Sequence, residues 1–68
     1  MKIFIVFYDD QVFEEFDGKP SKKLLPTPCY VYYRTERKWY RHAATNFTPI
    51  TVEDLPKVTR ATALILNL

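Results

Sequence analysis

The sequence predicts an α+β fold: a small antiparallel sheet of three to four strands with one C-terminal helix packed on a face. Three observations carry that expectation. Lys2–Tyr8 and Cys29–Arg34 consist almost wholly of β-branched and aromatic residues. Lys38–Ala43 repeats that character after a gap of only Thr35-Glu36-Arg37, which suits a hairpin. Beyond Pro49 the pattern changes, and Leu55, Val58, Ala61, Thr62 and Ile65 fall near one helical face.

The first strand is apolar on both alternating faces, with Ile3, Ile5 and Phe7 on one and Phe4, Val6 and Tyr8 on the other. Such a strand is central and covered twice, by a helix, a long loop or another chain. Asp9-Asp10 breaks the run, and Gln11–Phe16 returns as the second arm of a hairpin. The competing reading is one helical turn that places Val12, Phe13 and Phe16 together. Asp17-Gly18-Lys19-Pro20 is a turn signal. Pro20, Pro26 and Pro28 make the next stretch an extended connection, with Leu24 and Leu25 tucked against the core.

In the Cys29–Ala43 hairpin, a loop of Glu36 and Arg37 pairs Thr35 with Lys38, Arg34 with Trp39, Tyr33 with Tyr40, Tyr32 with Arg41 and Val31 with His42. One face then carries Tyr30, Tyr32, Arg34, Trp39 and Arg41. The other carries Cys29, Val31, Tyr33, Tyr40 and His42, a mixture that suits a core. In the tail, Thr51-Val52-Glu53-Asp54 resembles a capping box, and Pro56 is tolerated only in a first helical turn, which points to Asp54 as the N-cap. Leu64 and Leu68 widen the apolar stripe. A strand is the rival reading, because Thr59, Thr62 and Leu64-Ile65-Leu66 also tolerate extension.

Length limits the function classes. A chain of 68 residues is one domain, 1–68, and buries only roughly 60% of the surface its unfolded state exposes. At 47% hydrophobic and 16% aromatic it can still build a core, with apolar surface left over for a partner. A standalone enzyme needs a walled pocket that so short a chain hardly supplies. Cys29 and His42 are the only residues of their types, so no internal disulfide forms and no zinc site forms without outside ligands. The apolar run Ile3–Tyr8 is too short for a signal segment or a membrane span. The expectation is a cytoplasmic protein, or a part of a cytosolic assembly, with no cofactor and no membrane partner.

No catalytic motif emerges. Ser21 lies among Lys and Pro, and the only Gly, Gly18, cannot form a phosphate loop. Cys29 and His42 fall on one face as diagonal neighbours, but no orienting third group accompanies them. Asp9, Asp10, Glu14, Glu15 and Asp17 give a local charge of −5 without the spacing of a calcium loop. They read as a solvated hairpin tip, with an acidic docking surface as the second reading.

Arg34, Arg37, Lys38 and Arg41 against Glu36 make the hairpin basic, at +3. The partner-binding residues expected from this are Tyr30, Tyr32, Arg34, Arg37, Lys38, Trp39 and Arg41. Trp, Tyr and Arg dominate protein–protein hot spots, and the same groups stack on bases while Arg meets phosphate. The whole chain is only +2 and its charge is dipolar, which favours a protein partner over nucleic acid. The function expected is therefore a small non-enzymatic protein-binding module, a regulator or inhibitor of a larger machine. The alternative is a single-stranded nucleic-acid binder that uses hairpin 29–43. Self-association into a homodimer is a third reading. In brevity, aromatic density and lack of catalytic motifs the chain resembles the very short early proteins of bacteriophages. That resemblance implies a partner such as a host RNA polymerase.

Overall fold

A computed structural model of the chain describes residues 2–8 and 13–68. Five strands form one antiparallel sheet: β1 (Phe4–Phe7), β2 (Phe13–Phe16), β3 (Cys29–Tyr33), β4 (Lys38–Ala43) and β5 (Asn46–Ile50). Their spatial order is β2-β1-β3-β4-β5. One helix, α1 (Lys57–Ile65), follows. The α+β architecture is as the sequence predicts, with five strands rather than three to four. The helical reading of the tail holds over the extended one. The turn expected at Asp9-Asp10 lies outside the described residues.

β1 lies between β2 and β3, which explains why both of its faces are apolar. Ile5 and Phe7 join Tyr32, Trp39, Leu55 and Ala63 in a buried cluster beneath the helix. Val6 joins Leu25, Cys29 and Val31 on the opposite face. The cover there is the proline-rich connection, which includes a 3-10 turn over Lys22–Leu24. Leu25 is buried by it, whereas Leu24 points to solvent.

The hairpin register differs from the expected one by two residues. Cys29 faces His42, Val31 faces Tyr40, and Tyr33 faces Lys38. The loop is Arg34–Arg37, with the Arg37 N–H donating to the Arg34 carbonyl at 3.3 Å and Arg37 at φ 55°. A two-residue loop of Glu36 and Arg37 would favour positive φ at both positions, which neither residue adopts readily. A four-residue loop needs only one. Because the shift is even, every side chain keeps its expected face.

β5 is the strand that the sequence reading passed over. A two-residue loop, Ala44-Thr45, returns it along β4, with Ala44 at φ 57°. Pro49 breaks the β propensity of this run, but β5 is an edge strand and loses no ladder donor of consequence.

The start of the helix also differs. Thr51 and Asp54 do pair: the Thr51 N–H and hydroxyl both donate to Asp54 Oδ2, at 3.1 and 3.2 Å. They cap a separate 3-10 turn, Val52–Asp54, and Pro56 rather than Asp54 is the N-cap of α1. At the other end the Leu68 N–H donates to the Ala63 carbonyl and the Asn67 N–H to that of Leu64, with Asn67 at φ 66°. This Schellman closure returns Leu68 to the core cluster.

Candidate functional site

The residues expected to form an exposed aromatic face are divided by burial. Trp39 is only 6% exposed and Tyr32 only 8%. The Trp39 ring packs 5.2 Å from Phe7 and 4.9 Å from Tyr32, between centroids. Their face of the hairpin is the one that α1 covers, so Trp39 is not the centre of a free surface. Tyr30 is half-buried at the margin of the same cluster. Arg37, Lys38 and Arg41 are exposed, and the partly exposed Arg34 pairs with Glu15 at 3.3 Å.

The helix supplies what the hairpin does not. Its core-facing residues are Thr59 and Ala63, both buried. Large rings on the sheet fill the space beneath, so small helix residues fit where Leu or Ile would overpack. Of the stripe that the sequence assigned to the core, Leu55 is buried and Leu68 packs against the core cluster, whereas the residues within the helix turn outward. Val58 is exposed, as are Leu64 at 79% and Ile65 at 82%. Ala61 is exposed beside them. The helix therefore exposes large apolar side chains, Val58, Leu64 and Ile65, away from the sheet.

Two surface depressions meet on this side. One is lined by Val52, Lys57, Arg60, Ala61, Leu64 and Leu68. The other is lined by Tyr32, Arg34, Arg37, Asn67 and Leu68. Leu68 belongs to both, so the apolar helix surface runs into the basic hairpin turn. The helix carries Lys57 and Arg60 and no acidic residue. Arg34 and Arg37 thus line a depression with Leu68 rather than surrounding an exposed Trp39. Two apolar stripes on one helix, offset by small residues, were the overlooked signal.

The chain matches no family model, no curated protein and no solved structure.

Cys29 and His42 are direct cross-strand neighbours rather than diagonal ones, with Sγ 3.8 Å from Nδ1. Both are buried, and burial pushes the Cys29 thiol up to about 11. A nucleophile needs access and a lowered pKa, and this thiol has neither. The described acids of the expected acidic surface, Glu14, Glu15 and Asp17, each have a partner within the chain. Glu14 accepts from the Tyr8 hydroxyl at 2.7 Å, Glu15 pairs with Arg34, and Asp17 pairs with Lys2 at 3.5 Å. Asp9 and Asp10 lie outside the described residues. Among the described residues no group of three or more metal-ligating side chains forms, and no helix is long and apolar enough to cross a membrane.

Proposed function

We propose that this protein is a non-enzymatic binding module that docks the outer side of α1 onto a larger protein and regulates it. The observation that supports the reading most is the exposure of Leu64 and Ile65 on the same helix as exposed Val58 and Ala61, with Lys57 and Arg60 beside Leu64 and with Arg34 and Arg37 in the adjoining depression at Leu68. Apolar anchors with cations on one flank suit a partner with an apolar pocket and an acidic edge. A second copy of the chain suits it less. Pairing two α1 helices would bring Lys57 and Arg60 of each against the other, with no acid on either helix to offset them. Regulation of a larger assembly, in the manner of a phage early protein on a polymerase, is the role we propose for such a docking module.

Site-specific photocrosslinking in native cell extract tests this. A photoreactive residue at position 64 is expected to capture one protein larger than the chain, in a nuclease-resistant manner. Position 24 is the control, because Leu24 is equally exposed but lies on the other side of the sheet. Equal capture from both positions, capture only of a second copy of the chain, or capture lost on nuclease treatment would overturn the proposal.

A further inference from the structure

The sheet face opposite the helix holds a groove that the docking surface does not use. Its volume is about 470 Å³, within the range of small-molecule sites. Phe4, Tyr33, Tyr40 and Phe47 form its aromatic wall, and Lys19 and Lys22 stand on its rim. All four rings are half-buried, so each is packed on one side and open on another. Phe4 and Tyr33 are stacked in parallel, with centroids 4.6 Å apart and planes within 1°. Each ring of the pair therefore uses one face on the other and leaves its second face and its edge to the groove.

Both ammonium groups lie near the same ring. Lys19 Nζ is 4.9 Å and Lys22 Nζ 5.1 Å from the centroid of the Phe47 ring. Among the described residues neither has a carboxylate partner, the ion pairs being those of Lys2 and Arg34. Two cations near one ring with no carboxylate partner favour an anion within reach of both. The groove is also polarised. Glu36 accepts from the Tyr40 hydroxyl at 3.0 Å, at the hairpin turn. Phe47 pairs with His42, two residues further along β4 from Tyr40, which is roughly 6–7 Å. Cations therefore mark one end of the groove and a carboxylate the other. Asn46 adds an amide that can both donate and accept.

We propose that this groove binds a nucleotide, with its base against the aromatic residues and its phosphate held by Lys19 and Lys22. Aromatic faces accept any base, and Glu36 offers a hydrogen-bond acceptor to a base edge. Inorganic phosphate would use the lysines alone, and an uncharged planar ring would use the wall alone. Only a ligand with both parts matches the whole groove. A free mononucleotide and a nucleotide within a single strand share this chemistry. The site is independent of the docking face, so the two proposals stand or fall separately.

Amide and side-chain NMR titrations of the full chain at low ionic strength test the proposal. The probes are uridine monophosphate, uridine, orthophosphate and a short oligothymidylate. Uridine monophosphate or the oligonucleotide is expected to shift Tyr33, Tyr40, Phe47 and Lys22 while leaving Leu64 and Ile65 unmoved. A tighter fit for the oligonucleotide, weakening steeply with salt, marks a single strand as the source, and a preference for the mononucleotide marks the free ligand. Lys19→Gln combined with Lys22→Gln, both at exposed positions, is expected to lower affinity by about tenfold or more. Phe47→Leu is expected to weaken binding too. The lysine pair keeps the test decisive if Phe47→Leu loosens the fold. The proposal is overturned if no nucleotide shifts these residues at millimolar concentration. It is overturned equally if orthophosphate or uridine alone binds as well as the nucleotide, or if the double lysine variant binds like the wild type.

Discussion

Cys29 and His42 face each other across β3 and β4, with Sγ 3.8 Å from Nδ1 and both side chains buried. His42 Nε2 has no hydrogen-bond partner among the described residues. The ring instead leans on Phe47, with centroids 4.8 Å apart. The pair is part of the packing beneath the Lys22–Leu24 turn. Its thiol nevertheless gives the fold a pH dependence.

An unfolded chain ionises its cysteine near the ordinary value of 9.0, whereas the folded chain holds the Cys29 proton until about 11. Deprotonation therefore favours the unfolded state. The contribution is complete below pH 9 and is lost as the pH rises toward 11. Tyr8, pushed up to about 12 by burial and by its hydrogen bond to Glu14, acts with the same sign at slightly higher pH. Urea midpoints measured from about pH 8 to pH 11 should fall for the wild type and fall less for Cys29→Ala. Parallel pH profiles would show that the thiol is not protected. A thiol reagent should modify native Cys29 far more slowly than the denatured chain.

The orientation of α1 can be tested by two alanines two residues apart. Ala63 is buried against the sheet, and Ala61 is exposed on the outer side. Ala63→Leu should cost about 1–3 kcal/mol by overpacking beside Trp39. Ala61→Leu should change stability by no more than about 0.5 kcal/mol. Thermal melts of both variants decide the matter, and the reverse ranking would mean that Val58 and Ile65 face the core.

Ala44 occupies the left-handed region at φ 57°, where a Cβ is unfavourable. Gly at that position removes the clash at some cost in unfolded-state entropy. Ala44→Gly should therefore raise stability by about 0.5–1 kcal/mol, read from the denaturant midpoint at unchanged m-value. A loss of stability would mean that the β4–β5 loop does not hold this residue in the left-handed region.

The strand cores were legible because β-branched and aromatic residues crowd them. The face on which each hairpin residue lies was also legible, since a slip of two residues preserves it. Which face met solvent was not. Both are covered, one by α1 and the other by the connection around Leu25, so no polar alternation distinguishes them. Trp39 and Tyr32 consequently read as surface although they are core. The helix misled for a related reason. Its most hydrophobic stripe, Val58, Ala61 and Ile65, faces outward, while Thr59 and Ala63 face the rings of the sheet. Apolar periodicity locates a helix, but here shape complementarity to large aromatics sets its rotation. β5 escaped because Pro49 interrupts its pattern. The basic turn at Arg34 and Arg37 was legible as part of a surface, but its neighbour Leu68 arrives from 31 positions beyond Arg37 in the chain, through the closure at Asn67.

The most direct measurement is the affinity of the captured partner for Leu64→Glu and Ile65→Glu variants, determined beside their melting temperatures. Both side chains are about four-fifths exposed, so each substitution should leave the melting temperature close to that of the wild type. Each should weaken partner binding by about tenfold or more, because a charge replaces an apolar anchor of the interface. Variants that melt normally and bind the partner with wild-type affinity would contradict the assignment of the outer face of α1 as the docking surface.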